Sequence, residues 1–335
     1  MAKIGINGFE CWESGFLQML GGSSEMEVTH INTVSAIEEV KSTLIHSFGD
    51  AKKSVRVEVE EPYLLVNDRK ILVTHFQEPE QIPWETTDVV YVVDLNRGEQ
   101  SERPMEGHFV HGVRKVILCD FFAEMSWVKP IIMGLNQMDI KQEDRFLSCV
   151  SSVADSVSLS LKLMNDEMGV KRGFMNATVP CHESIQHCSD GISDSDAKTG
   201  ASESQEMFCQ SRDIRSILTV MPEMRGRFDG FTFLMDAVRH PQAVLTLELH
   251  QPTTAPDIRE IFRRYTEGPL KEMIEYTPQF KEEEWQKDSQ CQAFFDASAT
   301  KVIDDNLVQI VVWINPQYEY ANRIVQLLKY LQNNE

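Results

Sequence analysis

Residues Gly5 to Ser14, GINGFECWES, begin as an apolar strand and end in a glycine turn, the arrangement that lets a backbone approach the pyrophosphate of a dinucleotide. The same stretch then sets Glu10 and Glu13 where phosphate charge would lie. A carboxylate about 4 Å from a phosphate costs ~1 kcal/mol in water-like surroundings and ~4 kcal/mol at an effective dielectric of 20. A glutamate near a helix start also has a plain structural use, since it complements the helix dipole. Both readings hold together if the turn has become an ordinary helix start, with Gly8 making the turn. Further along, SCVSSVAD brings the thiol of Cys149 beside serine hydroxyls. A thiolate becomes an effective nucleophile when a neighbouring base or cation lowers its pKa. A serine hydroxyl without a base is a poor nucleophile near neutral pH.

These groups need a frame. A length of 335 residues suits two domains with ample core. The formal net charge of -20 argues against general nucleic-acid binding and against an anionic membrane surface. It fits simple solubility and is compatible with a basic partner. No apolar stretch approaches the ~18 residues that span a bilayer. The opening MAKIGINGF runs straight into a strand, with no signal peptide expected. The seven cysteines are scattered, with no CxxC pair and no metal-ligand spacing, so free thiols in a reducing cytoplasm are expected and no metal.

AKIGIN and MEVTHIN read as strands, CWESGFLQML and AIEEVKSTLI as helices. SVRVEVE and YLLVNDRKILVTHF read as hairpin-like strands turning at Asn67–Asp68, while DVVYVVD, RKVILCD and KPIIMGLN have the continuous apolar character of buried parallel strands. The alternation predicts an α/β, doubly wound domain to about residue 148. VADSVSLSLKLMNDEMGV then reads as a long helix. Residues 182–206, rich in Ser, Asp and Gly, read as a long polar loop. After it, SRDIRSILTVM and PDIREIFRRYTEG read as helices, and DGFTFLMDAV, QAVLTLELHQ, CQAFFDA and LVQIVVWI as strands of a mostly antiparallel sheet with helices on one face. YANRIVQLLKYLQ reads as an amphipathic last helix.

Several separated pieces carry a resemblance. KIGINGF, ILVTHFQEPEQIPW, MGLN, YTEGPLKEMIEYT and FFDASATKVIDDNLVQIVVWINPQYEYANRIVQLL follow one another at family spacing. In this the chain resembles the glyceraldehyde-3-phosphate dehydrogenase family from end to end. The resemblance implies a Rossmann-type domain over 1–148, completed by a C-terminal helix at 318–333. It implies an α+β catalytic-type domain over 149–317 that carries the polar loop. In the family, tetramers form through the catalytic-domain sheets and that loop, which also reaches the neighbouring subunit's cofactor.

The resemblance also assigns positions. Of the family's N-G-F-G-R-I-G-R turn, Gly8 and Phe9 are present, but Glu10, Cys11, Trp12 and Glu13 follow. The acid that closes I-N-D and holds a ribose corresponds to Thr33. The turn E-S-T-G corresponds to Asp94–Arg97, which includes Asn96, and the asparagine that contacts the nicotinamide corresponds to Pro316. Counting forward from MGLN and back from Gly169 puts the nucleophile at Ser152; a rival register puts it at Cys149. The catalytic histidine corresponds to Val179, with His182 turned to the opposite face by its odd offset. The phosphate-cradling turn falls on Cys209–Ile214, which includes Ser211 and Arg212, and the anchoring arginine corresponds to Leu234. The expectation is a pseudoenzyme that acts as a binding or structural component. It would use no cofactor, unless the cleft proves intact for NAD. It would work in the cytoplasm with a protein partner, as a homo- or hetero-oligomer through the catalytic-type domain. The alternatives are an NAD-dependent phosphorylating aldehyde dehydrogenase with a rebuilt site, and a nucleotide-responsive module without turnover.

Overall fold

The computed structural model describes residues 2–9, 26–47, 56–67, 69–96, 105–118, 125–180, 207–210, 212–235, 238, 240–281, 291 and 293–334. The chain divides into two compact units. The first comprises Met1–Lys129, Asp139–Cys149 and Ala321–Glu335, and the second Pro130–Met138 and Val150–Tyr320.

The first unit is built on β1 (Ala2–Asn7), β2 (Met26–Asn32), β3 (Val57–Glu60), β4 (Tyr63–Val66), β5 (Arg69–Thr74), β6 (Tyr91–Asp94), β7 (Lys115–Leu118) and β9 (Phe146–Cys149), with helix α1 (Ile37–Ser47) after β2; the short edge strand β8 (Lys129–Ile131) begins on the last residue of this unit before Pro130. The strands lie in the order β3-β4-β5-β2-β1-β6-β7-β9-β8. The core from β5 to β9 is parallel, and β3 and β4 pair antiparallel to extend it beyond β5; the β4–β5 turn holds Asn67 at a left-handed φ of 48°. All four residues of β6, β7 and β9 are buried, as strands covered on both faces require. Because β2 and β6 flank β1 on opposite sides, the strand order reverses at β1. A doubly wound sheet opens its ligand crevice at the carboxyl ends of its strands at such a reversal.

The second unit carries α2 (Ser152–Met168), β10 (Val170–Pro180), β11 (Met207–Gln210), α3 (Arg212–Val220), β12 (Phe228–Met235), β13 (Gln242–Leu249), α4 (Ala255–Thr266), β14 (Ile274–Thr277), β15 (Ala293–Asp296), β16 (Lys301–Ile303) and β17 (Leu307–Ile314). The sheet runs β11-β12-β10-β13-β17-β15-β14, with β16 on β17; only β10–β12 and β14–β15 are parallel. Burial alternates along β12, β13 and β17, and α2 and α3 pack on that sheet, so one face is core. Helix α4 starts in a capping box of Thr254 and Asp257.

The structure differs from the sequence reading at several edges. The strand read through KPIIMGLN stops at Ile131. Pro130–Met138 groups with the second unit although it precedes residue 148: Ile132 sits in that unit's core, and Gly134, at φ +87°, presses so close to Met273 that a Cβ would lie 2.5 Å from its sulfur. The last helix, α5, spans Pro316–Asn334 rather than 318–333, with the proline as its first residue, where its missing N–H costs nothing. Glu10, Glu13, Cys11, Trp12, Ser211, His182 and the polar loop 182–206 lie outside the described residues.

Candidate functional site

In the first unit, the carboxyl ends of the strands carry a chain of buried polar groups. Asn7, Asn32 and Asp94 close β1, β2 and β6, and all three are at most 5 % exposed. Thr74 Oγ1 donates to Asn32 Oδ1 (2.9 Å), Asn32 Nδ2 to Asn7 Oδ1 (2.9 Å), and Asn7 Nδ2 to Asp94 Oδ2 (2.7 Å). On the other side, Trp84 Nε1 donates to His108 Nδ1 (3.1 Å). An indole can only donate, so the ring proton of His108 belongs on Nε2, which meets Asp94 Oδ2 at 3.0 Å. The backbone N–H of Asn96 completes the set on Asp94 Oδ1 (3.0 Å). Both arms of the chain thus run toward one buried carboxylate, while Asn32 Nδ2 also donates to Phe76 O (2.9 Å), and such chains polarise one another in a low-dielectric interior. His30 hangs on the far end: Nε2 lies 2.9 Å from Thr74 Oγ1, Nδ1 lies 3.3 Å from Thr87 Oγ1, and burial lowers its pKa from 6.5 to about 4. Trp84 reaches this place only because residue 5 is glycine; a Cβ there would meet its ring at 2.4 Å.

Around this network stand the residues assigned to a dinucleotide. Gly8 has φ +92° and donates its N–H to Asn32 O (2.7 Å). A Cβ at Gly8 would lie 2.9 Å from Asn96 Oδ1, so the Asn96 side chain packs against the turn that the family resemblance assigns to the pyrophosphate. Phe9 is buried. Thr33 is 4 % exposed, and its hydroxyl accepts from Ser35 N (3.2 Å), which ties it into a local turn. Asn96 and Thr33 thus fit a bound dinucleotide poorly.

In the second unit, Ser152 is the first residue of α2, and Ser151 is its N-cap, with Oγ accepting from Ala154 N (3.1 Å). Ser151 Oγ in turn donates to Asp213 Oδ1, and Thr232 Oγ1 donates to Asp213 Oδ2 (2.8 Å). Asp213 is fully buried and follows Arg212, the first residue of α3. Val179 of β10 pairs in register with Leu234 of β12, and both are packed in the core at 0 % and 1 % exposure. Cys149 is a free, buried thiol at the end of β9 in the first unit. Among the described residues, no group of three or more His, Cys, Asp or Glu could hold a metal ion.

The profile of the glyceraldehyde 3-phosphate dehydrogenase NAD binding domain matches residues 2–98, and that of the C-terminal domain matches residues 149–316. The chain belongs to the glyceraldehyde-3-phosphate dehydrogenase family. It is similar to glyceraldehyde-3-phosphate dehydrogenase of Escherichia fergusonii, 24 % identical over 98 % of both chains. It is similar to glyceraldehyde-3-phosphate dehydrogenase 1 of Bacillus cereus, 26 % identical over 99 % of this chain and 98 % of the other. The testis-specific glyceraldehyde-3-phosphate dehydrogenase of Rattus norvegicus is 28 % identical over 83 % of this chain, an alignment that spans 64 % of the rat protein's length.

Membership fixes the architecture: an NAD-binding-type Rossmann domain and a glyceraldehyde-3-phosphate dehydrogenase catalytic-type domain. Of the residues assigned through the family, the structure brings Gly8 and Asn96 into contact, and Val179 and Leu234 into register. Pro316 starts α5. Sequence reasoning missed Asp213 as the partner of Ser151, and missed the convergence of Asn7, Asn32 and His108 on Asp94. These residues come from separate strands and loops, so no local spacing announces them.

Proposed function

We propose that this glyceraldehyde-3-phosphate dehydrogenase family chain does not oxidise an aldehyde and acts as a binding or structural component. One observation carries the reading. Val179 and Leu234, neighbours in the sheet and sealed in the core, stand where the family resemblance places the general base and the phosphate-anchoring arginine. Neither hydrocarbon can accept a proton or make a bidentate phosphate contact. Asp213 adds to this. A carboxylate hydrogen-bonded to the residue before Ser152 opposes formation of an anionic nucleophile at that helix start. The packing of Asn96 against Gly8 supports the absence of a working NAD cofactor.

The oligomeric part of the reading rests on the sheet face away from the helices. Phe174 is 59 % exposed there, with Phe231 and Phe233 on β12 at 40 % and 36 %. Exposed aromatics gathered on one sheet face suit a protein partner or a second copy. The cytoplasm suits free thiols such as Cys149 and Cys291.

A steady-state assay with purified protein, glyceraldehyde-3-phosphate, phosphate and excess NAD tests the central claim. No NADH should form. Turnover within ~100-fold of an ordinary enzyme's ~10 per second would overturn the reading in favour of a rebuilt dehydrogenase site.

A further inference from the structure

The first unit contains a second recess, at the end of its sheet opposite the dinucleotide crevice. Arg114 and Lys115 stand at the amino end of β7 and Arg145 at the amino end of β9. The register Val116↔Phe146 places these two ends side by side. Lys141, in the turn before β9, and Tyr330 and Leu331, near the end of α5, complete a cavity of about 730 Å³. That volume is in the range of small-molecule sites.

The wall is basic in a chain whose net charge is -20. No Asp or Glu lines it. The nearby Asp144 carboxylate is already engaged by Lys129 Nζ (2.6 Å) and Lys141 N (2.7 Å), and Glu143 stands 3.9 Å from Lys141 Nζ on the exposed side. Arg114 and Arg145 are exposed and make no ion pair among the described residues.

The recess is also held in shape. Lys115, 1 % exposed, donates from Nζ to the carbonyls of Lys141 (3.0 Å) and Asp144 (2.9 Å), and so clamps the turn that carries Lys141. The Arg145 guanidinium lies 3.5 Å from the centre of the Phe109 ring, which packs edge-on against Phe146. A guanidinium stacked on a ring keeps its N–H edge for a planar anion.

We propose that this recess binds a small organic phosphate with two or more phosphate groups. Arg114, Lys141 and Arg145 would take the phosphates, and the body of the ligand would lie against the half-buried Tyr330. Tight preorganised contacts between arginine and phosphate are charge-assisted and bidentate. The site lies at the amino ends of the strands, so it does not need the dinucleotide crevice at the carboxyl ends.

Calorimetric titration of the full chain with ATP and with inorganic tripolyphosphate, in dilute chloride buffer, tests this. Saturable binding is expected, weakening with added salt. Binding should fall at least ~10-fold in Arg114→Glu with Arg145→Glu, since each charged contact contributes about a factor of ten. Arg114→Ala alone, which leaves the Arg145–Phe109 stack in place, should weaken binding in the same direction. A control with the same change of charge in the second unit, Lys271→Glu with Lys301→Glu, should bind as the parent does. Tighter binding of ATP than of tripolyphosphate supports a contribution from the Tyr330 wall, and equal binding would overturn the organic part of the proposal. No saturable binding at millimolar ligand overturns the proposal. So does ATP binding that is indifferent to Arg114 and Arg145, which would assign the ligand to another place.

Discussion

The carboxyl edge of the first sheet and the start of α2 in the second unit handle polar groups in opposite ways. At the sheet edge, Thr74, Asn32, Asn7, Trp84 and His108 form one directed set of hydrogen bonds that ends on Asp94, each group satisfied from within the chain. At the start of α2, the positions that the family resemblance assigns to base and anchor are hydrocarbon, and Ser151 and Thr232 both donate to the Asp213 carboxylate. The first arrangement maintains the shape of a crevice. The second sets the buried Asp213 carboxylate on the helix cap Ser151, next to Ser152. A scaffold and a reaction centre thus separate physically: polar groups that complete each other inside the fold can order a site without doing chemistry in it.

The strongest way to break this comparison is to return the missing chemistry. Ser152→Cys with Val179→His restores the family's nucleophile and base in identity. We expect the double variant to stay at least ~10⁶-fold below an ordinary dehydrogenase, the loss typical when a nucleophile and base do not act as a unit. Leu234 still offers no phosphate contact, Asp213 still sits beside the helix start, and an imidazole at a position with no exposure must be buried at a cost. Thermal melting checks that the variant folds, and NADH formation measures activity. Ready oxidation of the aldehyde would mean that the rest of the site is competent and that only two side chains separate the chain from an enzyme.

The two buried carboxylates offer the next test. Asp94→Ala leaves Asn7 Nδ2, His108 Nε2 and the Asn96 N–H without their acceptor, and should destabilise the protein by about 3–5 kcal/mol. Asp213→Ala strands two hydroxyls, which can rotate to other acceptors, and should cost about 1–3 kcal/mol. Urea denaturation of both variants decides the order. A larger loss at Asp213 would make the second unit the more dependent on its polar core.

Much of this architecture is legible in the sequence because it is periodic. The alternation in FDGFTFLM and QAVLTLEL, the apolar runs YVVD and KVIL, and the long helix after Ser151 each announce their element. The short strand Phe146–Cys149 is less so: it has four residues, and its identity comes from partners 30 residues away in β7. The resemblance assigns Ser152, Val179 and Leu234 to their family positions, but it says nothing of their surroundings. That Thr33 spends its hydroxyl on Ser35, or that Asn96 packs against Gly8, depends on side-chain direction, which spacing does not encode.

The polar edge should also respond to pH where the hydrocarbon region cannot. His30 binds a proton only near pH 4 in the folded chain, against 6.5 when unfolded. Between those values the unfolded state holds the extra proton, so stability is complete above about 6.5 and falls as pH decreases. From pH 7.5 to 5.5 the loss from this group is about 1–1.5 kcal/mol. Urea midpoints across that range measure it. His30→Gln keeps an amide donor toward Thr74 and should flatten the dependence; an unchanged slope would assign it to other groups.

The smallest expected effect is the response to NAD, and it tests whether an ordered crevice is still a binding crevice. The domain is of the NAD-binding type, and its strand ends are joined by the Asn32–Asn7–Asp94 hydrogen bonds. Even so, Asn96 Oδ1 packs 2.9 Å from where a Gly8 Cβ would lie, and the Thr33 hydroxyl is already engaged by Ser35 N. In sequence, Glu10 and Glu13 follow that turn. A dinucleotide would therefore have to displace Asn96 and accept repulsion from any nearby carboxylate. A ligand present at ~100 times its Kd adds about 2.7 kcal/mol, which for a protein of this size raises Tm by several degrees. Melting curves with and without millimolar NAD should differ by less than about 1 °C. Asn96→Gly sharpens the result, because it removes the side chain packed against Gly8 without altering the network on Asp94, whose contact with residue 96 is to the backbone N–H. If that variant gains an NAD-dependent shift that the parent lacks, the side chain of Asn96 is what closes the crevice. A shift of several degrees in the parent itself would instead make the chain a nucleotide-responsive module, and the contrast between its two regions would be one of chemistry alone.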